Sequence, residues 1–254
     1  RRAFDQGPWA RMAPVERKKV LLRLAELIMA NREELALLDS LNMGKPVMDA
    51  YTIDVPGSAH VFAWYGEALD KLYDQVAPTA PNALATITRE ALGVVGAIVA
   101  WNFPLLLACW KLGPALATGC TVVLKPADET PLSVLKLAEL VDEAGYPAGV
   151  FNVITGTGLN AGAALSRHPG VDKLTFTGST EVGKQIGKAA MDNMTRVTLE
   201  LGGKSPTIVL ADADLQQAAA GAASAIFFNQ GQVCCAGSRL YVQRKHFDNV
   251  VADI

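Results

Sequence analysis

The order of apolar and helical segments after Gly93 limits the fold more than any other feature of this sequence. Short apolar runs at 94–100, 121–125, 150–155 and 173–177 predict strands, and a segment of helical character follows each run. A strand–helix–strand order places successive strands parallel in one sheet, with helices covering both faces. We therefore expect an α/β fold built on a parallel sheet.

Two helical segments precede this region. From Pro14 to about Asn42, apolar residues recur at helical spacing among charged ones, and the pattern stops at "GKP", residues 44–46. A second helical segment is predicted for 47–73, interrupted near Pro56, and the stretch after it predicts a turn and one exposed strand. We expect these N-terminal elements to pack around the outside of the sheet.

The composition argues against several classes of function. Of the 254 residues, 50% are hydrophobic and 19% are charged, with a formal net charge of −2. Such a chain can bury a large core and offers no basic surface to nucleic acid or anionic lipid. One uncharged stretch, 91–110, has the length that spans a bilayer. Because Gly93, Gly96, Asn102 and Pro104 interrupt it, we interpret it as a buried strand, a turn and a helix.

Loops that follow the predicted strands are the expected ligand-binding region, because open parallel sheets bind ligands at the carboxyl ends of their strands. These loops contain "WNFP", "KPADET", "TGTGLNAG" and "FTGSTEVG". In the last of them Gly178 permits close backbone approach, and Ser179 opens a helix whose free N–H groups can bind a phosphate. Its spacing differs from the usual dinucleotide fingerprint, so a simple capped helix after a tight turn is the alternative.

Two adjacent cysteines lie in the loop-like stretch "FFNQGQVCCAGSR", residues 227–239. Cys234 and Cys235 are too close along the chain for ordinary disulfide geometry. The four cysteines and three histidines show no zinc-binding spacing, so no metal site is predicted, and this cysteine usage suits a reducing, cytoplasmic compartment. Upstream, Glu200 ends a predicted strand before a glycine turn, where a solvated turn residue is the alternative to a functional carboxylate.

Five of these motifs together resemble the aldehyde dehydrogenase superfamily. "WNFP", "LKPADETP", "FTGSTEVG", "LELGGKSP" and "FFNQGQVCCAGSR" occur in the family's order and spacing, and the resemblance covers essentially all 254 residues. It implies a Rossmann-like parallel sheet with helices on both faces, preceded by N-terminal helices, within residues 1–200. Residues 201–254 would then be the start of a catalytic domain.

The resemblance also implies catalytic roles for three residues. Cys234 matches the nucleophile, which adds to an aldehyde as a thiolate and forms first a thiohemiacetal and then a thioester. Asn102 matches the side-chain donor that holds the tetrahedral oxyanion, together with the nucleophile's own backbone N–H. Glu200, 34 residues before Cys234, matches the general base that activates water. Cys235 resembles a variable neighbour near the substrate.

NAD is the cofactor that the resemblance implies. Asp128 stands where many NAD-preferring members have a glutamate, and its shorter reach towards the adenosine ribose predicts that NADP is tolerated as well. The residues that match cofactor-binding positions are Trp101, Lys125, Asp128, Gly158, Gly162, Phe176, Gly178, Ser179, Val182 and Leu201.

Only the resemblance gives expectations for the substrate and for the oligomeric state. Segments 55–77 and 105–120 look most like the subgroup that oxidises γ-glutamyl-γ-aminobutyraldehyde, and other aliphatic aldehydes stay open. Phe103, Leu107 and Trp110 are predicted to line an apolar tunnel, although plain core would give the same helical spacing. A homodimer or homotetramer is expected for the full-length protein.

Two other functions remain open at this point. The sequence begins and ends within helical patterns, so we expect an internal fragment of a longer chain. Such a fragment could be a catalytically incomplete nucleotide-binding unit that serves as a structural or interaction module. A cysteine hydrolase would need a histidine partner for the thiol, for which His246 is the nearest candidate along the sequence.

Overall fold

A five-stranded parallel sheet forms the centre of the computed structural model, which describes residues 1–254. The strands of the whole chain are β1 (Gln75–Ala77), β2 (Ala85–Ile87), β3 (Val94–Ile98), β4 (Thr121–Lys125), β5 (Phe151–Val153), β6 (Lys173–Gly178), β7 (Arg196–Leu201), β8 (Pro206–Val209) and β9 (Arg239–Val242). The central sheet has the order β5-β4-β3-β6-β7, and every neighbouring pair in it is parallel. The predicted α/β fold is therefore confirmed.

Helices surround this sheet. They are α1 (Arg2–Asp5), α2 (Pro14–Ala30), α3 (Arg32–Met43), α4 (Val47–Asp49), α5 (Val55–Ala68), α6 (Pro104–Ala117), α7 (Leu132–Glu143), α8 (Ala163–Arg167), α9 (Thr180–Met191), α10 (Leu215–Phe227) and α11 (Phe247–Asp253). A large core lies between one face of the sheet and α2, α5, α6 and α7, and a smaller core lies between the other face and α8 and α9. Because helices cover both faces, the central strand β3 is buried along its whole length.

The uncharged stretch 91–110 folds as expected for a buried strand, a turn and a helix. It supplies β3, the loop that contains Asn102, and the first half of α6, in which Pro104 occupies the first turn. None of the helices combines the length and the apolar character needed to cross a bilayer.

The N-terminal region differs from the prediction in three places. The one helical segment predicted from Pro14 to about Asn42 is two helices, α2 and α3, which meet at Asn31. The expected interruption near Pro56 is wrong, because a π-helical turn at Ala50–Asp54 joins α4 to α5 and leaves Pro56 in the first turn of α5. A proline is tolerated there because its missing N–H would have no partner within α5. The single exposed strand predicted after 77 is instead the second strand of an antiparallel pair, β1 with β2.

The "GKP" stop is confirmed and leads into a buried ion pair. Gly44 ends α3 in the left-handed conformation, with φ of 80°, which a residue without a side chain adopts readily. Lys45 then turns inwards and pairs with Asp54 of the π-helical turn, and both side chains are fully buried. The Lys45 Nζ also lies 4.1 Å from the centroid of the Phe103 ring, next to Asn102. The N-terminal helices are thereby joined electrostatically to the loop that precedes α6.

Replacing Lys45 with methionine should destabilise the protein by about 3–5 kcal/mol, because Asp54 would be left buried and unpaired. The double variant Lys45→Met/Asp54→Leu should recover most of that loss. Urea unfolding measures both changes. Lys19→Met, which breaks the exposed pair with Glu16, is the control and should change the free energy of unfolding by less than about 1 kcal/mol. Equal losses in the single and double variants would contradict this account.

Candidate active site

A cavity of about 620 Å³ opens at the carboxyl ends of the parallel strands. It lies where the strand order reverses, between β3 and β6, which is the position at which open α/β sheets bind ligands. Asn102, Glu200 and Cys234 all line it, although they come from distant parts of the sequence. The predicted cofactor residues that line the same cavity are Trp101, Asp128, Gly158, Phe176, Gly178, Ser179, Val182 and Leu201.

Two predicted cofactor residues, Lys125 and Gly162, do not line this cavity. The Lys125 side chain is buried at the end of β4, donates to the Pro126 carbonyl at 2.7 Å and forms an ion pair with Asp128. Gly162 is buried at the end of a π-helical turn that begins at Gly158. A side chain at either of these two glycines would meet no atom within 4 Å, so packing does not require glycine there.

The cavity has features that fit a nucleotide. α9 directs its free N–H groups towards it, and the Ser179 side chain caps this helix by accepting from the Val182 N–H at 3.2 Å. Trp101 and Val182 are both 43% exposed, so two apolar side chains remain available to a planar ring. At Gly178 an added Cβ would lie 2.5 Å from the Phe176 ring, so this position does require glycine.

Glu200 reaches the cavity because successive side chains of β7 point to opposite faces of the sheet. Arg196, Thr198 and Glu200 point to one face, whereas Val197, Leu199 and Leu201 pack on the other face beneath α9. Parallel pairing places Glu200 beside Thr177 of β6. The carboxylate is exposed at the open end of the sheet.

Asn102 contacts the loop that carries the cysteines. Its Nδ2 donates a hydrogen bond to the Gln232 carbonyl at 2.9 Å. An amide nitrogen carries two N–H donors, so one remains for another acceptor. This geometry suits the predicted oxyanion donor.

Cys234 lies in the loop between α10 and β9 and is exposed. Loss of solvation raises the pKa of its thiol above the ordinary value, and the adjacent Cys235 raises it further. Both cysteines are free. The Cys234 thiol is therefore mainly neutral at pH 7, and a reaction through its thiolate needs a base.

No histidine is available as that base. None of the three histidines lines a cavity that contains Cys234. His246, the partner considered from sequence, instead places its Nε2 3.2 Å from the Ala211 carbonyl oxygen. Nor does any group of three or more His, Cys, Asp and Glu side chains lie together as metal ligands would.

A second cavity, of about 610 Å³, contains a lysine that the sequence reasoning missed. Glu200 and Cys234 line both cavities. Lys111 of α6 lines the second one, is 8% exposed, and places its Nζ 3.2 Å from the Thr175 hydroxyl. Burial lowers the pKa of Lys111 to about 8, and Glu200 partly opposes that shift. The only sequence signal was a single charge within the apolar helix "PLLLACWKLGPALA".

The predicted apolar tunnel residues lie at the same place. Leu107 and Trp110 line both cavities, and Phe103 lines the first. Leu107 is buried, whereas Trp110 is 55% exposed. An apolar surface therefore leads towards Cys234.

A sequence model of the aldehyde dehydrogenase family matches residues 1–254, the whole chain. The chain belongs to this family. The resemblance inferred from five motifs is thereby confirmed.

Several family members are similar over the whole chain. The NADP/NAD-dependent aldehyde dehydrogenase PuuC of Escherichia coli is 55% identical over 254 residues, which are 99% of this chain and 51% of PuuC. Phenylacetaldehyde dehydrogenase of Pseudomonas fluorescens is 53% identical over 254 residues, covering 98% of this chain and 51% of that protein. The chain thus spans about half the length of these relatives.

Solved structures show the same fold. An indole-3-acetaldehyde dehydrogenase in complex with NAD⁺ is 56% identical and superposes with a TM-score of 0.98, covering 100% of this chain and 52% of that one. The aldehyde dehydrogenase KauB from Pseudomonas aeruginosa is 55% identical with a TM-score of 0.98, covering 99% of this chain and 51% of its own.

Alkylation of Cys234 by iodoacetamide should accelerate as pH rises from about 7 to about 9, because only the thiolate reacts and its pKa lies above the ordinary value of about 8.5. Mass spectrometry of the peptide that contains Cys234 measures the rate. In Cys235→Ser, which removes a cause of the raised pKa, the plateau should move to lower pH. A rate that is already constant at about pH 7 would contradict the environment described for this thiol.

Proposed function

We propose that this chain carries the nucleophile, the general base and the cofactor-binding residues of an NAD(P)-dependent aldehyde dehydrogenase. The observation that carries the proposal is the single cavity shared by Cys234, Asn102 and Glu200 with eight of the ten predicted cofactor residues. A purely structural module has no physical need for a thiol, an amide donor and a carboxylate around one nucleotide-sized cavity.

The thiol begins the reaction in this proposal. The Cys234 sulfur, deprotonated by Glu200, bonds to the aldehyde carbon, and the carbonyl electron pair moves to oxygen. The free N–H of Asn102 and the Cys234 backbone N–H hold that oxyanion, and such a donor contributes about 3–4 kcal/mol to the transition state. NAD(P), when bound, accepts the hydride that the substrate carbon loses as the thioester forms.

In the second half of the reaction, the hydrolysis of the thioester, Glu200 and Lys111 accept and transfer the protons. After passing the thiol proton to the neutral amine of Lys111, Glu200 takes a proton from water. The resulting hydroxide attacks the thioester carbon, and the sulfur leaves as a thiolate that takes the second proton back from Glu200 as the carboxylic acid forms. Because the pKa of Lys111 is lowered to about 8, a useful fraction of it is neutral near physiological pH. In the neutral form its amine can receive a proton from Glu200 through the cavity that they share.

Use of both NAD and NADP is part of the proposal. The E. coli relative is named NADP/NAD-dependent, and two of the similar structures are NAD⁺ complexes of indole-3-acetaldehyde dehydrogenases. Lys125 pairs with Asp128 and so offsets the one carboxylate expected to repel a ribose 2′-phosphate. The paired Asp128 is therefore a weak barrier to NADP.

The proposed substrate is γ-glutamyl-γ-aminobutyraldehyde or another aliphatic aldehyde. Support comes from the likeness of segments 55–77 and 105–120 to that subgroup, and from the apolar wall formed by Phe103, Leu107 and Trp110. Relatives named for phenylacetaldehyde and aminoacetaldehyde are similarly close, so their substrates belong in the test.

The arrangement of the strands also supports the proposed division into two domains. β7 ends at Leu201 and is the last strand of the parallel sheet, whereas β8 and β9 form a separate two-stranded sheet. This supports a cofactor domain at 1–200 and the start of a catalytic domain at 201–254. A homodimer or homotetramer and a cytoplasmic location stay predictions.

The decisive test measures NAD(P)H formation by the protein at its natural length, with γ-glutamyl-γ-aminobutyraldehyde, simple aliphatic aldehydes, phenylacetaldehyde and aminoacetaldehyde. Cys234→Ser should lower kcat by about 10⁴-fold or more, because serine is a much weaker nucleophile. Cys235→Ser is the matched control and should stay within about threefold of the unsubstituted enzyme. NAD binding without turnover of any aldehyde would favour the nucleotide-binding module instead.

Asp128→Asn should raise the ratio of kcat/KM for NADP to kcat/KM for NAD by about five- to tenfold, because the remaining repulsion is removed and Lys125 loses its paired carboxylate and can attract the 2′-phosphate. Steady-state kinetics with both cofactors measure the ratio. Glu129→Gln is the control, since Glu129 lines the same cavity without a predicted ribose contact, and it should change the ratio by less than about twofold. An unchanged ratio in Asp128→Asn would remove Asp128 from cofactor selection.

A further inference from the structure

The short turn before the cysteines has an unusual backbone. Asn229 and Gln230 are consecutive residues with positive φ, of 49° and 60°, in the left-handed region. Residues other than glycine rarely adopt this conformation, and asparagine is one of the few that tolerate it. Asn229 is nevertheless only 2% exposed. Contacts made by its side chain must hold it in this buried position.

Those contacts join two segments that are far apart in the sequence. Asn229 Nδ2 donates to the Asn102 carbonyl at 3.0 Å and to the Gln232 carbonyl at 3.2 Å. The Gln232 carbonyl also accepts from Asn102 Nδ2 at 2.9 Å. Both N–H groups of Asn229 and both lone pairs of the Gln232 oxygen are thus used in one closed network.

Further contacts hold the turn that contains Asn229 close to the loop that contains Asn102. The Phe103 ring lies 6.2 Å from the Phe228 ring, centroid to centroid. Gln230 Nε2 donates to the Gly44 carbonyl at 2.7 Å, next to Lys45, whose ammonium packs against Phe103. The turn at 228–231 is therefore fastened to the loop that carries Asn102 by Phe228 and Asn229, and to the end of α3 by Gln230.

We propose that Asn229 is a positioning residue that sets the Asn102 amide and the Cys234 loop at the correct distance for the oxyanion. This inference rests on the proposed function, since it assigns Asn102 as the oxyanion donor. Asn229 itself does not line the cavity. It acts through Asn102 and Gln232, by directing one Asn102 N–H to Gln232 and leaving the other for the substrate oxygen.

The chemistry of the side chain explains why asparagine is needed. Aspartate has the same shape but no N–H donor when ionised, and leucine has neither donor nor tolerance for positive φ. Glycine accepts the backbone conformation but leaves both carbonyls without the side-chain donor. Asparagine alone combines the left-handed turn with two donors at this length.

The test compares Asn229→Gly with Asn229→Asp in the protein at its natural length. Each should lower kcat/KM for the aldehyde by about 10- to 100-fold, because small misplacements of reacting groups cost this much. The Kd for NAD should change by less than about twofold, since Asn229 lies outside the cavity. Asn152→Asp is the matched control, because Asn152 also donates to two carbonyls, of Val122 and Gly149, at the far edge of the sheet.

A double-mutant cycle separates positioning from general damage to the fold. In an Asn102→Ala background the oxyanion amide is absent, so Asn229→Gly should then lower kcat/KM by only about threefold or less. Retention of the full loss in that background would overturn the proposal, as would single variants with unchanged kcat/KM. An equal loss in Asn152→Asp would overturn it too.

Hydrolysis of 4-nitrophenyl acetate distinguishes failure of this inference from failure of the proposed function. In that reaction the thiol attacks the ester carbonyl, 4-nitrophenolate leaves, and water releases acetate, so neither NAD nor hydride transfer is involved. The same cycle on this reaction tests Asn229 independently of aldehyde oxidation. Coupling in ester hydrolysis without aldehyde oxidation would support the positioning role and reject the dehydrogenase.

Discussion

Parallel pairing of β3 with β6 is the constraint on which the site depends. These strands are adjacent in the sheet although β4 and β5 separate them in the sequence, and their register aligns Ile98 with Phe176. The loops that leave them therefore emerge at one edge, which brings Trp101 and Asn102 next to Gly178 and Ser179. β7 adds to the same edge, because its pairing with β6 sets Glu200 beside Thr177. The cysteine loop then completes a site whose other residues the sheet has already placed.

The sequence predicted the sheet and the residues at its edge well, for physical reasons. Buried strands such as β3 and β4 contain short runs of apolar residues, which predict them from the sequence. Cys234, Asn102 and Glu200 were predicted because the motifs around them resemble those of a family, and the structure brings all three to one cavity. Periodicity alone would have given the strands but none of these three roles.

The roles proposed for Lys111 and Asn229 rest on contacts that leave no local pattern in the sequence. The sequence of α6 is typical of a core helix, and the relation of Lys111 to Glu200 appears only in the structure, where Lys111 contacts Thr175 of β6 and lines one cavity with Glu200. Asn229 is surrounded by residues of ordinary loop character, and its two acceptors include a carbonyl from the other half of the chain. The helix continues past Pro56 because a π-helical turn joins α4 to α5. The spacing of hydrophobic residues does not indicate such a turn.

Two buried lysines show how the same side chain serves different purposes in this fold. Lys45 is fully buried against the Asp54 carboxylate and the Phe103 ring, so its ammonium charge is matched and it can act as a structural support. Lys111 has a hydroxyl as its hydrogen-bond partner, and burial lowers its pKa to about 8. A lysine that faces a carboxylate holds neighbouring elements together, whereas one that is desolvated without a paired carboxylate has a lowered pKa. The difference follows from what each lysine faces, and it places the lysine of lowered pKa on the cavity wall that Glu200 and Cys234 share.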